Sequence, residues 1–171
     1  MVKSGETAVN LRQNNSNMIP LQGEHIGRVD AKGRFQLPVA LKNQLTASLH
    51  EGFVVKRSIF SKCLELYPKT NWDELLRKIT SKLNMFRRED NDFLRAYTAG
   101  LKQLEIDGTG RILIPRDLAV FAEITGDIVV AAKMNCIEIW DKAKYDEIVN
   151  ATQTNISDLA EKLLGNININ E

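Results

Sequence analysis

The chain has 171 residues, 43% of them hydrophobic and 6% aromatic, with a formal net charge of +1. That length can bury a substantial core, and the near-neutral balance means that attraction to a polyanion has to come from local clustering rather than from the whole molecule. The longest purely apolar run, Ile128 to Ala132, is far short of the ~20 residues a membrane span needs, and the two cysteines, Cys63 and Cys136, form no Cys-x-x-Cys or disulfide framework and read as reduced and cytosolic.

Residues 1–22 are polar and Asn-rich, with Asn14, Asn15, Ser16 and Asn17 in series, and read as a disordered extension. The first repeat occupies 23–99. Ile26 and Val29 lead into Asp30-Ala31-Lys32-Gly33-Arg34, where a carboxylate followed by Gly marks a tight turn and Gly33 supplies positive φ. The run from Arg34 to Leu37 is a short strand that Pro38 ends at the first turn of a helix carrying Leu41 and Leu45. Phe53-Val54-Val55 and Leu64-Glu65-Leu66-Tyr67 follow as strands of a hairpin around Ser58 to Lys62. Thr70 is the expected cap of a helix that buries Trp72, Leu75, Leu76, Ile79 and Leu83. A second helix, from about Arg88 to Ala99, turns Phe93, Leu94 and Tyr97 inward and ends at Gly100.

The chain then writes the programme again over 100–150. Asp107-Gly108-Thr109-Gly110-Arg111 and Pro115 stand 77 positions after Asp30 to Arg34 and Pro38. A strand from Ile128 to Ala132 comes next. Cys136-Ile137-Glu138-Ile139-Trp140 then echoes Cys63-Leu64-Glu65-Leu66-Tyr67 at an offset of 73, so the second copy has shorter connections. Residues 151–171 hold a last helix, Ser157 to Leu164, and an Asn-rich tail, and that helix docks on the body or on a neighbour.

Arg34 and Arg111 adjoin their turns for one of two reasons, which are compatible. Asp and Arg pair across the turn and hold its shape, or the loop is a rigid tip that presents a guanidinium and backbone donors to a phosphate or a guanine edge. Catalysis finds little support: His25 and His50 are isolated, and there is no Gly-x-Ser-x-Gly, no phosphate-binding Gly-rich loop and no metal-ligand spacing. No cofactor, metal or catalytic residue is expected.

Two Asp-x-x-x-Arg loops, each followed by an apolar strand, a Pro and a Cys-x-Glu-x-aromatic strand, resemble the MraZ family over about Gly23 to Ile148. The resemblance implies an α+β fold: a duplicated swapped-hairpin β barrel of the AbrB/SpoVT type with flanking helices. It also implies a cytoplasmic, nucleoid-associated regulator of the bacterial division and cell-wall gene cluster, not an enzyme. Such a protein binds double-stranded DNA at tandem promoter repeats as a ring-shaped homo-oligomer. Carried over by position, Arg28, Lys32, Arg34, Thr109 and Arg111 are the DNA-binding candidates, and Asp30, Gly33, Asp107 and Gly110 form the loops.

The copies differ in charge. Arg28, Lys32 and Arg34 carry +3, whereas the matching Glu105, Thr109 and Arg111 carry 0, so the first loop is expected to supply most of the affinity. The competing expectation is an assembly scaffold or antitoxin-like interaction module working through Leu159 and Leu163.

Overall fold

Strand pairing in the computed structural model, which describes residues 17–167, runs between the two repeats as much as within them. The first half supplies β1 (Glu24–Arg28), β2 (Arg34–Gln36), α1 (Val39–Gln44), β3 (Phe53–Arg57), β4 (Leu64–Pro68), α2 (Lys69–Thr80) and α3 (Arg88–Thr98). The second supplies β5 (Lys102–Leu104), β6 (Arg111–Leu113), α4 (Arg116–Phe121), β7 (Asp127–Lys133), β8 (Cys136–Asp141), α5 (Lys142–Gln153) and α6 (Ile156–Leu164). Six strands form an antiparallel sheet in the order β1-β7-β8-β4-β3-β5. Its edges are exchanged: β1 of the first half pairs with β7 of the second, and β5 of the second with β3 of the first. Both edge strands turn through the Asp-to-Arg loops into β2 and β6, which pair with each other as a two-stranded ribbon. This is the α+β swapped-hairpin arrangement that the family resemblance implies.

The swap follows from size. Half of this chain cannot bury enough apolar surface to stand alone, and exchange lets both halves share one core. Phe35 and Ile112, opposite each other in the ribbon, are buried with Leu41 of α1, Leu118 of α4, and Leu66 and Ile139 from the sheet. Burying each such aliphatic side chain contributes roughly 1.5–3 kcal/mol. Pro38 and Pro115 stand one residue before α1 and α4, with ψ near 135°, as N-caps rather than first-turn residues.

The Cys-x-Glu-x-aromatic strands explain their own spacing. Glu65 accepts from the Tyr67 hydroxyl at 2.9 Å and from Lys56 Nζ at 3.3 Å, and Glu138 accepts from Trp140 Nε1 at 2.6 Å and from Lys133 Nζ at 2.9 Å. The two carboxylates face each other in the β4–β8 register, so a lysine beside each one offsets a like-charge pair. Cys63 and Cys136 are buried, as expected of core positions, and burial pushes both thiols up to about 12, which leaves them unreactive near neutrality.

Three further expectations are corrected. Residues 1–16 lie outside the described residues, but Leu21, placed in the polar extension, is buried and bridges to Met134, and Ile19 is hydrogen-bonded to Asn71. Thr70 does not cap α2. That helix starts at Lys69 behind Pro68, and the Thr70 hydroxyl donates to Glu51 instead. Phe93 does not turn inward: it is 45% exposed and stacks on the outer side of Tyr97, which itself stacks on Trp72. β5, Lys102–Leu104, pairs with Val55 to Phe53 and ends before Glu105.

Candidate nucleic-acid interface

Each loop is a closed knot built on one aspartate. Asp30 Oδ1 accepts from the backbone N–H groups of Lys32 and Arg34, both at 2.9 Å, while Oδ2 accepts from Arg34 Nε at 2.9 Å. Asp107 repeats this with Thr109 and Arg111, and additionally takes the Thr109 hydroxyl at 2.8 Å. Main-chain bonds close the same turns, Gly33 to Asp30 and Gly110 to Asp107, both at 3.0 Å. Gly33 and Gly110 have φ of +86° and +82°, a region that L side chains seldom adopt. The backbone N–H of Arg34 leads in holding Asp30 below its usual carboxylate value, and the backbone N–H of Arg111 with the Thr109 hydroxyl lowers Asp107 further.

The turn-holding role of the arginines is seen directly, and it leaves their outer edges free. Asp engages only Nε, and among the described residues the Nη hydrogens of Arg34 and Arg111 have no hydrogen-bond partner. The side chains are about a third exposed, 29% and 33%. In the ribbon Arg34 pairs with Leu113 and Arg111 with Gln36, while Phe35 and Ile112 between them are buried. Strand alternation thus puts Arg34, Gln36, Arg111 and Leu113 on one outer face, with the two arginines about 7 Å apart along the ribbon. Gln36 Nε2 braces that face by donating to the carbonyls of Thr109 and Gly110, at 3.0 and 3.1 Å. A guanidinium held by one edge keeps its fork for a carboxylate, a phosphate or the O6/N7 edge of guanine.

The remaining sequence candidates divide. Lys32 is exposed at the first tip and forms no ion pair among the described residues. The Thr109 hydroxyl is spent on Asp107. Arg28 is tied to Asp127 at 2.8 Å, an exposed pair, so it is not a free cation at the loop.

Two cations escaped the sequence reading. Lys42 of α1 comes beside the second loop, its Nζ 3.6 Å from the point where a Cβ on Gly110 would stand. Arg116, which opens α4, lines a cleft with Lys32 and Gly33 at the first loop. Neither has an anionic partner among the described residues. The swap hides both, because each loop is flanked by the helix of the other repeat. The repeat offset supplies the one usable signal: positions 39 and 42 match 116 and 119, and each pair contains one cation. The charge contrast consequently narrows to +2 at the first loop (Lys32, Arg34, Arg116 against Asp30) and +1 at the second (Lys42, Arg111 against Asp107).

No group of three or more His, Cys, Asp or Glu side chains suited to a metal occurs among the described residues, and no described helix is long and apolar enough to cross a membrane. Comparisons with known proteins make the chain a transcriptional regulator rather than an enzyme. The family model described as "MraZ protein, putative antitoxin-like" matches residues 21–96 and 98–167. The curated protein "Transcriptional regulator MraZ" of Flavobacterium psychrophilum is 51% identical over 154 residues, 90% of this chain and 98% of that protein. The proteins of the same name from Christiangramia forsetii and Cytophaga hutchinsonii are 46% and 36% identical, over 87% and 83% of this chain and 96% and 93% of their own lengths. The chain belongs to the MraZ family.

Proposed function

We propose that the chain is a sequence-specific DNA-binding regulator of the bacterial division and cell-wall gene cluster. It binds tandem promoter repeats through its two Asp-x-x-x-Arg loops, several copies acting together as a ring-shaped homo-oligomer at the nucleoid in the cytoplasm. The observation that carries this reading is the outer face of the ribbon, where two arginines are held by Nε and keep their Nη groups free. A two-stranded ribbon fits the major groove, and a bidentate Arg–guanine contact supplies about 1–3 kcal/mol of discrimination. Residues 23–99 and 100–150 are the two repeats that build this face. Arg34 and Arg111 read bases, and Lys32 and Thr109 form the loop tips. Arg28 contacts a phosphate only by exchanging Asp127 for it.

One ribbon gives weak binding, and linked copies multiply it through effective concentration. Repeats read from one side of the duplex then recur at about one helical turn, about 10 bp. The test is a salt series of binding to a fragment from upstream of the gene, comparing the wild type with Arg34→Ala. Specific binding that weakens with salt and collapses in the variant is expected. A wild type with no sequence preference at any salt makes the loops structural turns and moves the protein-interaction reading ahead.

A further inference from the structure

The internal duplication gives the molecule two related aromatic faces, both with a buried tryptophan (Trp72 4% and Trp140 5% exposed), and among the described residues only one has a second helix folded back over it. On the first, Tyr67 and Trp72 lie 5.4 Å apart and α3 folds back over them, stacking Tyr97 on Trp72 at 6.2 Å. On the second, the equivalent Trp140 and Tyr145 make an edge contact at 5.8 Å, and among the described residues no helix after α5 folds back over this side. An apolar cleft of about 620 Å³ remains there, lined by Phe60, Phe121, Trp140, Ile148 and Ala151.

The second half does have a helix after α5, but its connection keeps it away. Seven residues, Ser81 to Arg87, separate α2 from α3 and allow the reversal, whereas only Thr154 and Asn155 separate α5 from α6. Thr154 is itself in helical conformation (φ −65°, ψ −24°), and α6 has no buried residue. Its apolar side is left in solvent, with Ile156 48%, Leu163 71% and Leu164 55% exposed.

We infer that the cleft of one subunit receives α6 of a second copy, which packs on the exposed Phe60 and Ile148 beside Trp140, in the place that α3 takes beside Trp72. The occupant is argued from the chain's own covered face, where an amphipathic helix after a longer connection does the same work. Charge agrees with it: Lys62, Lys144 and Glu147 at the cleft sum to +1, with Lys62 over the Phe121 ring at 4.6 Å and in no ion pair among the described residues, whereas Asp158, Glu161 and Lys162 of α6 sum to −1. Helix-into-cleft contact is head-to-tail, because the donor's own cleft stays free for a third copy, and repetition gives a ring where the rotation closes. This rests on the ring reading above and names its joint.

The experiment is multi-angle light scattering on the full chain as wild type, Phe60→Glu and Leu163→Glu/Leu164→Glu. All three substituted side chains are at least half exposed, and circular dichroism checks that the fold is kept. Each variant alone should fall to a monomer. Their equimolar mixture should stop at a dimer, because the intact α6 of the Phe60→Glu chain still fits the intact cleft of the other. Variants that assemble like the wild type overturn the joint and leave the ring reading standing, with another occupant for the cleft. A wild type that is monomeric at every concentration overturns both.

Discussion

Replacing Asp30 by Asn separates a positioning role from a purely electrostatic one, because the two predict opposite signs. Asn keeps an oxygen for the backbone N–H groups of Lys32 and Arg34 but puts an amide in the place of the oxygen that accepts from Arg34 Nε. The guanidinium then loses its only hydrogen bond among the described residues, and its ordering has to occur on binding. Freezing one such side chain costs about two- to tenfold in affinity for the specific site. The same change removes a negative charge from a surface that meets phosphates, which strengthens binding to any DNA. Asp30→Asn should therefore weaken binding to the promoter repeat about two- to tenfold while leaving a scrambled duplex unchanged or bound more tightly. Competition anisotropy with both duplexes reads the ratio. Tighter binding to both duplexes by the same factor would falsify the idea that Asp30 aims Arg34. Titrating the native carboxylate should not mimic the variant near neutrality. Its folded value lies below the unfolded one, so its contribution is complete above the ordinary carboxylate range and is lost only as pH falls through the lowered value.

Lys42→Ala and Arg116→Ala should each cost about fivefold at 0.15 M salt and reduce the salt slope by about 0.9, the value of one phosphate contact; Lys82→Ala, which removes a cation away from the loops, serves as the control. Arg34→Ala should weaken promoter binding more than Arg111→Ala, since Lys32 and Arg116 surround only the first loop, and equal losses or the reverse order in the same titrations would remove the asymmetry. Gly110→Ala should destabilise the fold by about 1–2 kcal/mol for its left-handed backbone and displace Gln36, whose Nε2 would stand 2.7 Å from the new Cβ, as denaturant titration and crystallography would show. Lys56→Met leaves Glu65 facing Glu138 without its lysine and should cost about 3–5 kcal/mol in chemical denaturation, with partial recovery in Lys56→Met/Glu65→Gln; no recovery would mean that the Lys56 stem, not its charge, is what matters.

The loops were legible because their chemistry is local. An aspartate that binds backbone N–H groups two and four residues on, with a glycine at positive φ between, writes itself into five consecutive positions, and duplication writes it twice. Strands β3, β4, β7 and β8 were legible from alternation and apolar runs. What stayed hidden depends on who pairs with whom. Nothing in the sequence brings Lys42 to the loop of the other repeat, or ties Arg28 to Asp127 across 99 positions. Leu21 was missed because one leucine makes no periodic pattern, and Phe93 because a 3–4 spacing cannot tell a covered face from the rim of an aromatic stack.

The exchange of hairpins also accounts for the separation between the proposed reading and assembly surfaces. The swap brings β2 and β6 together, so both loops share one face of the molecule whatever their distance in the chain. The aromatic strands β4 and β8 meet instead at the middle of the large sheet, and the helices that follow them, α2 and α5, cover its other side. Change in the connection after α5 thus reaches the Trp140 face without touching the loops. A regulator that reads several repeats at once, as proposed above, needs that independence. Its subunits can then be joined through one copy of the duplicated unit while both copies remain available to DNA.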